Sequence, residues 1–334
     1  MTYTEKEARA LIIRAGHQLI EQGLAARTWG NISARISSTH FIITPSGLPY
    51  DTLQPEQLVR VRIADCAWEG SIKPSSEKGI HAAAYLHRPD AGFVIHTHQE
   101  YASCVSVSGK ALTDLDHPIL GECVPCAAYG MPSTKKLQRN MDTVMVKHHN
   151  CNAILMRSHG ALCIGRDYKR AFELAHALEE VSRATFDAAI TLPEMQPSDE
   201  QKLLDQLRAA APRLHFTVES GGAAQAMAVH GKTLHPHLDD LAQIAGATIR
   251  CSKKDAASVM KALHGRNAVL IPGIGAVCCA EDESDLEAIA AIARKGCLAA
   301  LYAEKCSAAP LGRIDRAIMR LVYTKKYSKK KNEA

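Results

Sequence analysis

Apolar and polar positions follow two rhythms along this chain. Over Lys6–Glu21 apolar residues recur at helical spacing, and Gly23 supplies a stop. The same rhythm predicts helices over Thr134–Lys147, Tyr168–Ile190 and Glu200–Ala211, the last ending before Pro212. Ser75 and Ser76 read as the N-cap of a helix from Glu77 to about His87. Short strands and loops fill the stretch up to about Ser71. Gly92–Ile95 is an apolar run that reads as a short buried strand. Ala153–Met156 and Ala161–Ile164 read as a hairpin with Gly160 at its turn. Pro193, Pro197 and Ser198 interrupt the pattern, and a domain boundary is expected near Pro212. The expected organisation is a first domain over 1–212, a smaller α/β domain over 213–322, and a basic tail over 323–334.

A weak internal repeat adds to this picture. Asn152–Gly165 aligns without gaps to Asn267–Ala280, with Asn, Ala, Leu, Gly, Ala and Cys shared, and a helix-like segment comes after both. His235-Pro236-His237 echoes His96-Thr97-His98, but Ile274 stands where the first copy has His159. The second domain therefore reads as a degenerate repeat with a structural or regulatory role.

Charge and composition narrow the function classes. The net charge is +5, yet Arg313 to the end holds eight Lys and Arg against Asp315 and Glu333. That segment carries +6, so the remainder carries about −1. The basic surplus is a terminal feature and does not make a nucleic-acid-binding face. No run approaches the apolar length needed to span a membrane. The polar N-terminus and 11 cysteines without a disulfide-like framework point to reduced thiols and a cytoplasmic setting.

The candidate chemistry centres on histidine. His96 and His98 stand at i and i+2 at the end of the Gly92–Ile95 strand, so both imidazoles face one side. His159, in Ser158-His159-Gly160, lies between the two hairpin runs. Three imidazoles with an open fourth position are the ligand set of a catalytic zinc, although such a set accepts other divalent ions. Three further segments suit a phosphate pocket: Thr28-Trp29-Gly30-Asn31-Ile32-Ser33, Thr44–Tyr50, and Ser75-Ser76-Glu77-Lys78 with His81 a turn later. Gly30 and Gly47 let backbone approach an anion; Asn31, Ser46, Ser75 and Ser76 offer neutral donors; the helix N-terminus adds free amides. Trp29 reads as a packing residue, and His81 as one that packs or supports a ligand. The Cys123-Val-Pro-Cys126 spacing reads as part of a strand with Cys126 packed on the core, not as a redox pair.

The order Gly-Asn-Ile-Ser (30–33), Thr-Pro-Ser-Gly (44–47), Ser-Ser-Glu (75–77), His-Thr-His (96–98), Pro-Cys-Ala-Ala-Tyr (125–129) and Ser-His-Gly (158–160) resembles the class II aldolase/adducin family, and within it the fuculose-phosphate aldolase branch. The resemblance covers about Ala8–Ala211. It implies an α/β fold, an αβα sandwich around a mostly antiparallel sheet, and a homotetramer with active sites at subunit interfaces. It implies zinc on His96, His98 and His159, and Glu77 as acid/base beside the metal. The substrate phosphate would lie on Asn31, Ser46, Gly47, Ser75 and Ser76, and Tyr129 would serve as the catalytic tyrosine, reaching a neighbouring subunit's site. The implied activity is retro-aldol cleavage of a small ketose phosphate to dihydroxyacetone phosphate and an aldehyde. The same scaffold serves pentulose-phosphate 4-epimerases, methylthioribulose-1-phosphate dehydratases and phosphosugar-acid decarboxylases. The epimerases carry Ser-Asp-Thr where this chain has Ser76-Glu77-Lys78, which favours the aldolase. Adducin-type heads use the fold for assembly alone, without need of the histidines or Glu77.

Overall fold

The computed structural model describes residues 2–25, 29–195 and 200–330. Thr28, Pro197, Ser198 and the last residues of the basic tail, Lys331 and Glu333 among them, lie outside the described residues. Contacts divide the chain into two units, 1–184 and 185–334. The division falls within a long helix rather than at Pro212, because the helix preceding Pro212 packs on elements that come after it.

The first unit contains α1 (Glu5–Glu21), β1 (Asn31–Arg35), β2 (His40–Ile43), β3 (Val59–Arg62), α2 (Lys78–His87), β4 (Phe93–Thr97), α3 (Glu100–Ser106), β5 (Cys126–Ala127), α4 (Lys135–Lys147), β6 (Ala153–Met156), β7 (Gly160–Gly165) and α5 (Tyr168–Ala189), which continues past the division. Its strands form a seven-stranded sheet, ordered β3-β2-β1-β4-β7-β6-β5. Every pairing is antiparallel except β5 with β6. Alternation along the strands gives the sheet two apolar faces. Phe41, Val61, Val94, Leu162 and Ile164 pack with Ile80 and Ala84 of α2 and Leu137, Met141 and Met145 of α4. On the other side, α1 covers β1 and β2, and the Tyr168 ring of α5 meets Phe93 edge-on at 5.3 Å. The αβα sandwich is therefore as the motifs imply.

Helix ends are set by local chemistry. Thr4 and Glu7 form a reciprocal capping box on α1, and Thr134 caps α4. Two expectations are corrected. First, α2 starts at Lys78 with Glu77 at the N-cap position, and the Ser75 hydroxyl accepts only from the Glu77 amide, at 3.2 Å. Second, Gly160 does not sit in the β6–β7 turn; it opens β7, and Ser158 takes the left-handed conformation (φ 61°).

The second unit contains α6 (Gln201–Ala210), β8 (His215–Glu219), α7 (Gly222–Val229), α8 (Asp239–Ile244), β9 (Arg250–Cys251), α9 (Ala256–Leu263), β10 (Ala268–Ile271), β11 (Gly275–Ala280), α10 (Glu283–Cys306) and α11 (Arg313–Lys330). Helix α6 packs on β8 and α9. The four strands are ordered β8-β11-β10-β9, with only β9–β10 parallel. Much of the basic terminal segment is thus helical. His235 and His237 lie in the loop before α8, not on a strand, where His235 Nδ1 accepts from Arg316 Nη1 at 2.7 Å. They are not the counterparts of His96 and His98.

Candidate metal centre

Strands β4, β5 and β6 run in one direction, so their C-terminal ends, and the loops leaving them, lie along one end of the sheet. His96 is the penultimate residue of β4, His98 stands just beyond the strand, and His159 is the last residue of the β6–β7 turn. Two glycines let the surrounding backbones close on these positions. A Cβ at Gly30 (φ +82°) would stand 2.5 Å from the His96 carbonyl oxygen, and one at Gly160 would stand 2.2 Å from that of Thr97. Trp29 stacks against His98, ring centroids 6.3 Å apart.

The three imidazoles converge. One ligand nitrogen from each lies within 4.8 Å of the other two, and His96 Nε2 is 3.0 Å from His159 Nε2. His96 Nδ1 lies 2.8 Å from the Ala161 carbonyl oxygen, which can only accept. That bond fixes the tautomer and leaves the Nε2 lone pair facing the cluster, the orientation a metal ligand needs.

Glu77 closes the fourth side. Its carboxylate is buried, with Oε2 3.3 Å from His96 Nε2 and Oε1 3.4 Å from His159 Nε2. Asn31 Nδ2 donates to Oε2 at 3.0 Å, while Oε1 has no hydrogen-bond partner. A buried carboxylate oxygen without a donor is costly, about 1–3 kcal/mol or more. Facing three imidazole nitrogens, it fits a site built for a cation. Burial opposes the charge on Glu77, but the His159 and His96 imidazoles outweigh burial and hold its pKa well below the usual carboxylate range. Burial also pushes the His96 pKa well down, the coupled Glu77 carboxylate opposing it. Three imidazoles beside one carboxylate are a donor set for a divalent transition metal.

The candidate phosphate residues are drawn to the same corner. Thr44 and Ile32 exchange hydrogen bonds, Thr44 N to Ile32 O at 3.1 Å and Ile32 N to Thr44 Oγ1 at 3.2 Å. Ser46 N donates to Lys73 O at 3.0 Å, and Ser75 N donates to Thr44 O at 2.9 Å. The loops carrying Asn31, Ser46, Gly47 and Ser75 are therefore bound to one another. Gly47 is left-handed (φ 73°), and exposed Ser76 accepts from Ser133 Oγ at 2.7 Å. The Asn31 side chain, expected to face a phosphate, also reaches Glu77 through Nδ2 and His81 through Oδ1.

Tyr129 stands apart in the sheet order. It lies just past β5, three strands from β4, a separation of roughly 14 Å at the usual strand spacing. Asn140 Nδ2 donates to its carbonyl at 3.0 Å and so anchors the loop. Cys126 is a free thiol whose pKa burial pushes up to about 12, in keeping with a packed strand residue.

Two residues beside the site were given no role by the sequence, Ser33 at the end of the Gly-Asn-Ile-Ser motif and Tyr85 outside any motif. Ser33 on β1 and Tyr85 on α2 continue a buried polar line from Asn31 through His81. The spacing Asn31-x-Ser33 against Glu77-x3-His81-x3-Tyr85 is the signal by which they could have been found.

An αβα sandwich with three histidines and a carboxylate clustered at one sheet end defines a metal-site protein of the class II aldolase type. Residues 10–186, more than half of the chain, match the family model described as Class II Aldolase and Adducin N-terminal domain, and the chain belongs to that family. It is an enzyme of this class. The chain is 31% identical over 202 residues to a 5-methylthioribulose-1-phosphate/5-deoxyribulose-1-phosphate aldolase of Rhodospirillum rubrum, covering 59% of this chain and 89% of that one. It is 31% identical over 188 residues to an L-fuculose phosphate aldolase of Escherichia coli, covering 55% and 85%. A solved L-fuculose 1-phosphate aldolase superposes with TM-score 0.51 at 27% identity, covering 56% of this chain and 91% of that one. The similarity lies in the first unit and its immediate continuation. Among the described residues no helix is long and apolar enough to cross a membrane.

Proposed function

We propose that this chain cleaves a small ketose 1-phosphate between C3 and C4, releasing dihydroxyacetone phosphate and an aldehyde. The observation that carries the reading is the buried Glu77 carboxylate, 3.3 and 3.4 Å from His96 and His159, with one oxygen bonded by Asn31 and the other open toward the imidazoles. Both aldolase relatives described above are named for sugar phosphates, one of them for 5-deoxy and 5-methylthio pentulose 1-phosphates. Glu77, where the epimerases have Asp, supports the same reading.

His96, His98 and His159 would hold the metal, with zinc the reference ion for three imidazoles. Bound there, a divalent ion supplies Lewis acidity to the substrate oxygens on which negative charge develops. The chain's own residues do the rest. Glu77 moves the proton at C3, accepting it in the condensation direction and returning it during cleavage. Asn31, Ser46, Gly47, Ser75 and Ser76 anchor the phosphate, whose binding energy positions the bond to be broken. Tyr129 handles the proton on the C4 oxygen. In this reading that tyrosine is contributed by a neighbouring copy, as in a tetramer with shared sites, because Tyr129 leaves β5, the edge strand of the sheet. The second unit, in this reading, is a degenerate and non-catalytic repeat, and the enzyme works in the cytoplasm.

The test is an assay for dihydroxyacetone phosphate released from a panel of ketose 1-phosphates by zinc-loaded protein. Release that depends on metal and on Glu77 supports the reading. Metal-loaded protein that releases none, but converts pentulose phosphates by epimerisation, dehydration or decarboxylation, would replace it.

A further inference from the structure

Helix α2 and strand β1 meet through polar side chains where the rest of that interface is apolar. Glu77, His81 and Tyr85 stand at i, i+4 and i+8 and share one helix face. Asn31 and Ser33 stand at i and i+2 on β1 and share one strand face. Four residues of helix rise about 6.0 Å and two residues of strand about 6.8 Å, so the two rows interleave. The contacts run from end to end: Tyr85 Oη to Ser33 Oγ at 2.8 Å, Ser33 Oγ to His81 Nδ1 at 2.7 Å, His81 Nε2 to Asn31 Oδ1, and Asn31 Nδ2 to Glu77 Oε2 at 3.0 Å. All five residues are buried, with Ser33 and His81 at 0% exposure.

Donor chemistry gives this line a direction. An ionised carboxylate only accepts, so Asn31 must present its NH2 to Glu77 and its carbonyl oxygen to His81. That oxygen also only accepts, so His81 must carry its proton on Nε2. Burial holds His81 neutral, with its pKa lowered to about 3, and bare Nδ1 then accepts from the Ser33 hydroxyl. Ser33 in turn accepts from Tyr85, whose phenol burial keeps protonated. Every proton points toward Glu77. Asn31 also faces His96 directly across the β1–β4 ladder, so the line ends at the metal cluster itself.

We infer that His81, backed by Ser33 and Tyr85, is a positioning residue: it locks the Asn31 amide so that Glu77 is gripped by one oxygen and presents the other to the space between His96 and His159. The inference rests on the reading of Glu77 given above, and makes His81 part of the machinery without contact to substrate or metal. A packing histidine would need only to fill its site. This one must supply one donor and one acceptor in a fixed order.

The test uses the full chain stripped of metal, as wild type, His81→Leu, His81→Gln, Asn31→Ala and the combined His81→Leu/Asn31→Ala. Zinc is titrated against a competing chelator, and exchange of the C3 proton of dihydroxyacetone phosphate is followed by NMR in D2O. His81→Leu is expected to weaken zinc binding and slow exchange by about 10–100-fold, without a matching rise in KM for dihydroxyacetone phosphate. Asn31→Ala should weaken zinc to a similar degree, and the double variant should be no worse than the weaker single, since both break one relay. His81→Gln, whose amide offers one face that donates and one that accepts, should recover both quantities. If His81→Leu does not fold, Ser33→Ala, which removes the donor to Nδ1, takes its place. Independent losses in the double variant, or a glutamine no better than leucine, would overturn the inference. A wild type that exchanges no proton, with the zinc coupling intact, would sink the aldolase reading and leave the relay standing. Exchange without the zinc coupling would do the reverse.

Discussion

The two units share a half. In the first, β4-α3-β5-α4-β6-β7-α5 builds the sheet order β4-β7-β6-β5; in the second, β8-α7-α8-β9-α9-β10-β11-α10 builds β8-β11-β10-β9, with the same parallel and antiparallel pairings. Pairing with the adjacent strand sets the correspondence. Thr97 faces Ala161 and Glu219 faces Ala276, which matches His96 to Val218, His98 to Ser220 and His159 to Ile274. Ile274 is fully buried in an apolar cluster with Val277 and Phe216. Where the first unit converges three imidazoles on a carboxylate, the second has Val218, Ser220 and the fully buried Ile274, with no imidazole among them. The second unit also lacks, among its described residues, any counterpart of β1 and α2, the elements that carry Asn31 and Glu77. A scaffold of this kind forms with or without the polar cluster, so the fold itself does not require those residues.

Four changes would break or sharpen this contrast. Glu77→Gln keeps a side chain of the same size and should still load metal on the three histidines when zinc is saturating, but the rate of dihydroxyacetone phosphate release should fall by about 10²–10⁴; unchanged turnover would remove Glu77 from the mechanism. Ile274→Ala should destabilise the second unit by about 2–5 kcal/mol through cavity formation while metal content stays that of the wild type. Far-UV circular dichroism would follow that loss. Tryptophan fluorescence would not, because both tryptophans, Trp29 and Trp68, are in the first unit.

Acid offers a third contrast. Burial lowers the His81 pKa from 6.5 to about 3, so between those values the unfolded chain binds a proton that the folded chain does not. Stability is full above pH 6.5 and is lost as pH falls toward 3, by about 3 kcal/mol between pH 7 and 4.5. Urea midpoints read by tryptophan fluorescence should show the drop, and His81→Gln should flatten it. The smallest effect is at the α1 capping box, where Thr4→Ala should cost about 1 kcal/mol in thermal unfolding of the first unit and leave metal binding unaltered.

Much of this was legible beforehand. The helices at Lys6–Glu21, Thr134–Lys147 and Tyr168–Ile190 are found within about a residue of their predicted ends, because each has a strong period and a clear cap or stop. The His96, His98 and His159 convergence comes from strand alternation and a tight turn. What was not legible depends on pairing between distant segments. The repeat was visible in Asn152–Gly165 and Asn267–Ala280, but its histidine echo at His235–His237 was misleading. Proline has no amide for a ladder, and identity of letters does not set strand register. The Ser33–His81–Tyr85 line needed the knowledge that β1 lies over α2, which no local pattern contains. Tyr129 is placed by sheet order, which puts it at the β5 edge, three strands from β4, and this too is a long-range property.

Metal stoichiometry tests the central claim most directly. Mass spectrometry of the purified protein, loaded with zinc and desalted, should find one ion per chain in the wild type and in Ile274→Ala, and none in His159→Ala. Zinc retained by His159→Ala, or absent from a folded wild type, would contradict the assignment of the first unit's sheet end as the metal centre.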